Sequence, residues 1–318
     1  MAVGKKRKLE FESPVYDLEE KIEAGRQRGL EPDSAEMKKL AGRLEELEEK
    51  VYSGLSPWEE VQLARHPDRP TALQYIGEIF DEFLEFHGDR YFGDDPAVVG
   101  GLASLGGRRV MVVGHEKGRN TRDRLKRNFG MASPEGFRKS LRLMKLAEKF
   151  SLPIVSLVDT PGAYPGVGAE ERGQSVAIAS NLKNLFDISS PIIVVIIGEG
   201  GSGGALALAI GDTVLMMEHA VYSVISPEGC AAILYKNKDK APEAASSLRL
   251  TSSDCLELKV IDEVIREKHG AAHRDQHGNA EQIKRVLVRK LSELEGIPGE
   301  ALLKKRVDKF SRIGIFNG

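Results

Sequence analysis

Apolar and polar residues in the first part of the chain follow a helical period. From Pro14 to Tyr52, apolar positions recur at three-and-four spacing within a highly charged sequence, which predicts amphipathic helices broken near Gly29–Pro32. Two further helices are predicted over Pro57–Arg65 and Thr71–Phe86, the second capped by its threonine. Only one side of these helices is apolar, so we expect a helical section that covers a core or a partner chain.

The pattern changes at Val98, where strands are predicted. Val98–Leu105 and Arg108–His115 flank Gly106-Gly107, the strongest hairpin signal in the chain. A helix is predicted over Pro134–Phe150, with Ser133 as its cap and proline at its first position. Strands followed by helices indicate an α/β core.

Two short β-branched runs predict buried parallel strands. They are Pro153–Asp159 and Pro191–Ile197, and Ala169–Asp187 between them has the length and apolar spacing of a crossover helix. Thr213–Met217 and Ala220–Ile225 are expected to close the sheet. The last predicted helices are Ala280–Leu294 and Pro298–Ile313. The sheet is therefore predicted to be mostly parallel.

A glycine-rich turn follows each of these two runs. Thr160–Gly166 follows the first, and Gly198–Gly204 follows the second. Adjacent parallel strands deliver both turns to one edge of the sheet, where a helix start directs unpaired N–H groups outward. Glycine also allows close approach of the main chain. The pair of turns predicts a site for an anion or an oxyanion, built from backbone amides.

The second turn also fits two other motifs. Gly198-x-Gly200-x-x-Gly203, with Glu218 downstream, fits a dinucleotide-binding fingerprint of an oxidoreductase, although such a fold normally opens with this turn. Gly200-x-Ser202-x-Gly204 fits the nucleophile elbow of a serine hydrolase. Its candidate partners are Asp212, Asp254, His219 and His269. Both alternatives stay open at this point.

Composition excludes several classes of protein. Lys plus Arg is 46 against 48 Asp plus Glu, so no net charge favours nucleic acid or an anionic membrane. Cys230 and Cys255 are too few for a disulfide framework or a four-cysteine zinc site. No apolar stretch has the length to span a bilayer. We expect a soluble, cytoplasmic protein.

Three histidines recur at every fourth position near the end of the chain. His269, His273 and His277 could face one way on a helix, but Gly270 and Gly278 disfavour a helix there. We therefore expect no metal in this chain.

Several longer motifs identify a family. They are Asp159–Gln174 (DTPGAYPGVGAEERGQ), Gly198–Ala207 (GEGGSGGALA), Lys117–Arg122, Arg127–Met131, Phe86–Asp95 (FHGDRYFGDD) and Ile225–Ala231. Together they resemble the alpha subunits of bacterial acetyl-CoA carboxylase carboxyltransferase, over nearly the whole chain. The resemblance implies a crotonase-like (ClpP/crotonase) α/β fold, a spiral of strand-strand-helix units with an N-terminal helical section. We divide the chain into a helical section and arm (1–92), a carboxyltransferase core (93–266) and C-terminal helices (267–318).

The resemblance also implies an activity. Such subunits move a carboxyl group from carboxybiotin, carried on a biotin carboxyl carrier protein, to acetyl-CoA, and malonyl-CoA for fatty-acid biosynthesis results. Biotin is then not covalently bound to this chain, ATP use belongs elsewhere in the complex, and a biotin carboxylase is among the implied partners. The resemblance implies a beta subunit bearing a zinc ribbon and most of the acetyl-CoA site, an alpha2beta2 assembly, and no activity for the chain alone. A noncatalytic member of the crotonase-like group and a propionyl-CoA specificity stay as alternatives.

Carried over residue by residue, the resemblance gives a site. The backbone N–H groups of Gly203 and Gly204 are the expected catalytic donors, within about two residues. The expected substrate-binding residues are Gly200, Gly201, Gly162, Ala163, Tyr164 and Arg122. Tyr164 either stacks on the biotin ring or stiffens its turn.

Arg122 belongs to a basic segment. Its cations are Lys117, Arg119, Arg122, Arg124, Lys126 and Arg127, relieved only by Asp123. Clustered cations suit the phosphates of CoA or an acidic carrier surface, and a solvated loop with surface ion pairs is the alternative.

Overall fold

The structure is a computed structural model, and it describes residues 7–314. Residues 1–6 and 315–318, the extremes of the two predicted outer sections, lie outside the described residues. The strands are β1 (Glu82–Glu85), β2 (Val98–Leu105), β3 (Arg108–His115), β4 (Ile154–Thr160), β5 (Ile192–Gly201), β6 (Thr213–Met217), β7 (Val221–Ser223) and β8 (Glu263–Ile265). The helices are α1 (Ser13–Gln27), α2 (Ala35–Ser53), α3 (Pro57–Ala64), α4 (Ala72–Ile79), α5 (Thr121–Lys126), α6 (Pro134–Lys149), α7 (Val167–Glu171), α8 (Gln174–Leu185), α9 (Ser202–Ala209), α10 (Pro227–Leu234), α11 (Ala241–Leu248), α12 (Ser252–Glu257), α13 (Gln276–Leu294) and α14 (Gly299–Ser311).

The strands form one mixed sheet in the order β1-β2-β3-β4-β5-β6-β8, with β7 paired to β5. β1 pairs with β2 and β2 pairs with β3 in antiparallel orientation, and every other pairing, from β3–β4 onward, is parallel. The Gly106-Gly107 hairpin and the two central parallel strands are therefore confirmed. All seven residues of β4 are buried, as expected for a strand covered on both faces.

The main apolar core crosses the predicted section boundaries. Tyr75 and Ile76 from α4 belong to it, as do Ile283 and Leu287 from α13. The division at residues 92 and 266 stays a prediction. No helix in the described range is long and apolar enough to cross a membrane.

The predicted helix Thr71–Phe86 is too long. α4 ends at Ile79, and β1 follows it as an antiparallel partner of β2. A methyl group on Gly101 of β2 would lie 2.0 Å from the carbonyl oxygen of Leu84, so only glycine lets β1 approach here. Backbone pairing with the open edge of the sheet overrides the local helical pattern.

The predicted position of the strand that closes the sheet is also wrong. Within Ala220–Ile225 only β7 forms, and it pairs with the last residues of β5, beyond the point where β6 pairs. β8 closes the sheet instead, beside β6. β8 has only three residues and a mixed composition, so it carries no alternation signal.

The predicted crossover helix Ala169–Asp187 is divided in two. Gly173 between α7 and α8 has φ of +82°, a left-handed conformation that ends the first helix. α7 therefore stands apart at the edge of the sheet, directly after the first glycine-rich turn.

Candidate active site

The two glycine-rich turns lie side by side at one edge of the sheet. β4 and β5 are adjacent and parallel, so both turns leave from the same ends of their strands. A methyl group on Gly204 would lie 2.4 Å from the carbonyl carbon of Gly162. One on Gly201 would lie 2.2 Å from the carbonyl oxygen of Pro161. The turns therefore touch through their main chains, which side chains at Gly201 or Gly204 would separate.

Gly203 differs from the glycines around it. A methyl group there would meet only Ile178, at an ordinary contact distance of 3.6 Å. By contrast, one on Gly200 would lie 2.6 Å from the ring of Tyr222, and one on Gly198 would lie 2.4 Å from a carboxylate oxygen of Asp159. Packing within the chain does not require glycine at position 203.

α9 starts immediately after β5 and carries Gly203 and Gly204 in its first turn. Gly201 is its N-cap, so no side chain caps these amides. First-turn N–H groups have no partner within their own helix, and they lie at the positive end of its dipole. The start of α9 can therefore donate hydrogen bonds to an oxyanion.

Ser202 has no base to activate it. Its side chain is exposed, its φ is +52°, and its hydroxyl has no hydrogen-bond partner among residues 7–314. The histidine contacts are His66–Arg7, His87–Asp94, His219–Glu60, His269–Glu48, His273–Glu12 and His277–Glu78. His115 is fully buried, and burial, with help from the charge of Lys117, lowers its pKa to about 3. No histidine is in place for a nucleophile elbow, and no observation supports the hydrolase alternative.

Hydrogen bonds fix the first turn. The Thr160 hydroxyl donates to the carbonyl oxygen of Gly162 at 2.7 Å and accepts from the Gly162 amide at 3.1 Å. The Tyr164 amide donates to the Ala132 carbonyl at 3.0 Å. The side-chain amide of Gln174 donates to the carbonyls of both Tyr164 and Ala132. Gly162, Ala163 and Tyr164 are therefore held against the second turn.

The ring of Tyr164 packs on its own turn. A methyl group on Gly166 would lie 2.3 Å from Cε1 of that ring. The ring contact favours the stiffening role of Tyr164 over stacking on a ligand.

The cations of the basic segment point in different directions. Arg122 is exposed and has no hydrogen bond or ion pair in the described part of the chain. Arg124 donates to the carbonyls of Gly118 and Pro67, and Arg127 donates to Asp123 and to the carbonyl of Pro96. Lys117 points the other way, toward the glycine turns. The segment is therefore partly structural, and Arg122 is one of its outward cations.

A network of charges lies beneath the turns, and sequence reasoning missed it. Lys117 lies between Asp159 and Glu199, and Arg65 bridges Glu199 and Glu228. Two features of the sequence could have indicated it: Asp159 at the end of an apolar strand, and Glu199 inside a glycine-rich turn. Lys117, Asp159, Glu199 and Arg65 also line a cavity of about 150 Å³.

An apolar groove lies beside the start of α9. It has a volume of about 240 Å³. Its lining includes Ser202, Leu206, Tyr222, Val224, Leu258 and Val260. An apolar ligand or partner surface next to Gly203 would therefore find contacts here.

One group of side chains has the composition of a metal site. Among residues 7–314, Glu12, His66 and His273 place ligand atoms within 4.8 Å of one another. The two imidazoles are stacked, with centroids 3.8 Å apart and 20° between planes, so their in-plane lone pairs do not converge. His66 Nε2 is also bonded to the Arg7 carbonyl at 2.9 Å. The geometry favours a buried hydrogen-bonded cluster over a metal centre.

The three spaced histidines do not face one another. His269, His273 and His277 pair with different carboxylates. The predicted absence of helix there is partly wrong. α13 begins at Gln276, ahead of the predicted Ala280, because the Asp275 side chain accepts from the Gly278 amide and caps it.

The sequence matches a described family over nearly its whole length. A family model for acetyl co-enzyme A carboxylase carboxyltransferase-like proteins matches residues 8–314. An acetyl-coenzyme A carboxylase carboxyl transferase subunit alpha from Geobacter metallireducens is 52% identical over 97% of this chain and 98% of its own length. The corresponding protein of Methylococcus capsulatus is also 52% identical, over 97% of each chain.

Solved structures share the fold at lower identity. A transcarboxylase 12S structure aligns with a TM-score of 0.58 and 20% identity, over 71% of this chain and 42% of that chain. The beta subunit of Pseudomonas aeruginosa geranyl-CoA carboxylase aligns with a TM-score of 0.55 and 16% identity, over 80% of this chain and 46% of its own. The crotonase-like α/β fold class is confirmed.

Proposed function

The chain belongs to the acetyl-CoA carboxylase carboxyltransferase alpha-subunit family, and from that premise we propose that it forms the biotin side of a carboxyltransferase site. Carboxybiotin, presented on a biotin carboxyl carrier protein, supplies the carboxyl group when bound. Acetyl-CoA is the proposed acceptor and malonyl-CoA the product. A beta subunit completes the site in an alpha2beta2 assembly, and a separate biotin carboxylase recharges the carrier.

The start of α9 carries this proposal. The amides of Gly203 and Gly204 would donate to the ureido oxygen as negative charge develops there. Removal of one such donor typically costs about 2.7–4 kcal/mol of barrier. There is open space beside Gly203, since a methyl group added there would have Ile178, at 3.6 Å, as its nearest neighbour. A flat ring can therefore approach the start of the helix. The residues present therefore fit an anionic ring oxygen.

The first turn has a supporting role in this proposal. Gly162 and Ala163 hold the second turn in register by main-chain contact. The Tyr164 ring stiffens the first turn and leaves the apolar groove beside Ser202 for the partner or the ring of biotin. Gly200 and Gly201 let β5 run close to Tyr222 and Pro161 before the helix begins.

Turnover with and without a beta subunit tests the proposal. We expect biotin-dependent consumption of malonyl-CoA only when the matching beta subunit is present. Ser202→Ala should retain that turnover, because backbone amides carry the catalysis. Ester hydrolysis by the chain alone, lost in Ser202→Ala, would overturn the proposal and favour a hydrolase.

A further inference from the structure

Lys117 joins the two glycine turns from beneath. Its Nζ lies 2.7 Å from Oδ1 of Asp159, the last but one residue of β4, just before the first turn. The same Nζ lies 2.6 Å from Oε2 of Glu199, which lies in the second turn. The three side chains are 18%, 7% and 10% exposed, so water screens these contacts little.

The carboxylates of this cluster also hold the backbone. Oδ1 of Asp159 accepts a hydrogen bond of 2.8 Å from the amide of Glu199, which ties the two strand ends directly. The other oxygen of Glu199 accepts from Nε of Arg65 at 2.6 Å. Each oxygen of Glu199 therefore has its own cation, and neither turn can move without breaking a charged contact.

The chain is shaped to admit the lysine. Asn128, Phe129 and Gly130 have φ of 47°, 56° and 82°, three left-handed residues in succession. A methyl group on Gly130 would lie 2.8 Å from Cγ of Lys117 and 2.9 Å from the carbonyl oxygen of Asp159. Asparagine tolerates left-handed backbone, but at Phe129 this conformation is unfavourable and persists only where the surroundings demand it. This run lets the chain pass beside the stem of Lys117.

The lysine keeps its charge in this position. Burial opposes the charge of Lys117, but Asp159 and Glu199 together raise its pKa above the ordinary value. Burial likewise opposes the charge of Glu199, and Lys117 with Arg65 lowers its pKa below the ordinary value. The ammonium and the carboxylate are therefore both ionised near neutral pH.

We propose that Lys117 is a positioning residue, which sets the spacing of the two glycine turns and so aims the amides of Gly203 and Gly204. The inference rests on the proposed function of those amides. Lys117 acts through Asp159 and Glu199 and has no contact with substrate in this proposal. A shift of about 1 Å in a catalytic group can cost about a hundredfold in rate.

The test compares Lys117→Met with Lys139→Met in the complex with the beta subunit. Lys139 is a matched control, because its side chain is 1% exposed and its Nζ bonds to Asp94 at 2.5 Å and to the Asp95 carbonyl at 2.8 Å, and neither residue belongs to a glycine turn. For Lys117→Met we expect kcat with free biotin and malonyl-CoA to fall about a hundredfold, with little change in the KM for malonyl-CoA. For Lys139→Met we expect a lower Tm and a kcat close to wild type.

A second variant separates position from stability. Lys117→Met removes the ion pair of Asp159 and leaves Glu199 with Arg65 alone, so Lys117→Met combined with Glu199→Gln removes one of the two negative charges. We expect the combined variant to regain Tm while its kcat stays low. A kcat that recovers in step with Tm, or a wild-type kcat in Lys117→Met, would overturn the inference. If the wild-type complex itself fails to turn over biotin and malonyl-CoA, the proposed function falls instead.

Discussion

The two glycine-rich turns occupy equivalent places in the sheet, but different forces hold them. The first turn depends on polar side chains, since Thr160 and Gln174 bond to its backbone. The second turn depends on the absence of side chains, since Gly201 and Gly204 lie directly against the first. The turn that carries the proposed donors is thus a contact surface, and the other turn is its support. Added atoms should damage the second turn, and lost hydrogen bonds should damage the first.

The largest effect is expected when a methyl group is added to the second turn. Gly204→Ala places a methyl 2.4 Å from the Gly162 carbonyl carbon, so the turns must separate. Overpacking of this kind costs about 1–3 kcal/mol in stability. We expect a lower Tm and a loss of biotin-dependent turnover of at least about a hundredfold, measured by calorimetry and by malonyl-CoA consumption.

Gly203→Ala is the matched variant for that measurement. Its methyl meets only Ile178, at 3.6 Å, so Tm should stay within the small range usual for harmless surface changes. Turnover should still fall, because the methyl would take up open space beside the start of α9 that the proposed ring needs. Full activity in Gly203→Ala would show that the proposed ring does not occupy the space beside Gly203.

A smaller effect is expected from the first turn. Thr160→Val keeps the shape of the side chain and removes both hydrogen bonds to Gly162. Each such bond contributes about 0.5–1.5 kcal/mol, so turnover should fall about tenfold as the turn loosens. Kinetics of Thr160→Ser provide the control, since serine keeps the hydroxyl. Equal rates for the valine and serine variants would show that contact alone holds both turns.

The smallest effect is expected away from both turns, at Arg122. This exposed arginine has no partner within residues 7–314, so Arg122→Ala should leave Tm unchanged. We expect the KM for malonyl-CoA or for the carrier to rise a few-fold at low salt, and the difference to vanish at high salt because exposed charges are screened. The control is Arg312→Ala, which removes another exposed arginine, near the C-terminal end of the described residues. An unchanged KM at low salt would remove Arg122 from the substrate-binding residues.

Much of the fold follows from local sequence pattern. The apolar runs of β4 and β5 and the Gly106-Gly107 turn predicted the centre of the sheet. β1 was missed because its residues continue the apolar spacing of α4, and only an open sheet edge decides between helix and strand. The pairing of β1 with β2 depends on Gly101, which lies outside the segment whose apolar spacing predicted a helix.

The candidate site was predictable only where its chemistry lies in the backbone. Glycine turns after two strands indicated a backbone anion site at this edge of the sheet, and the family resemblance assigned it to the amides of Gly203 and Gly204. The direction of Lys117 could not be predicted, because its carboxylate partners lie on other strands and its neighbours in sequence are also cations. Apolar periodicity reports on one helix or strand at a time, so it does not reveal an ion pair between two elements.

The charge network also bears on how the protein folds while it is being synthesised. Arg65 and Glu228, which bond to each other, are separated by 163 positions along the chain. Contacts of such long separation form late in folding, since the entropy of closing the intervening loop is lost before they are gained. During synthesis the N-terminal helices leave the ribosome long before Glu228 does. A nascent chain therefore has no complete network beneath its glycine turns until nearly three quarters of the protein has been translated.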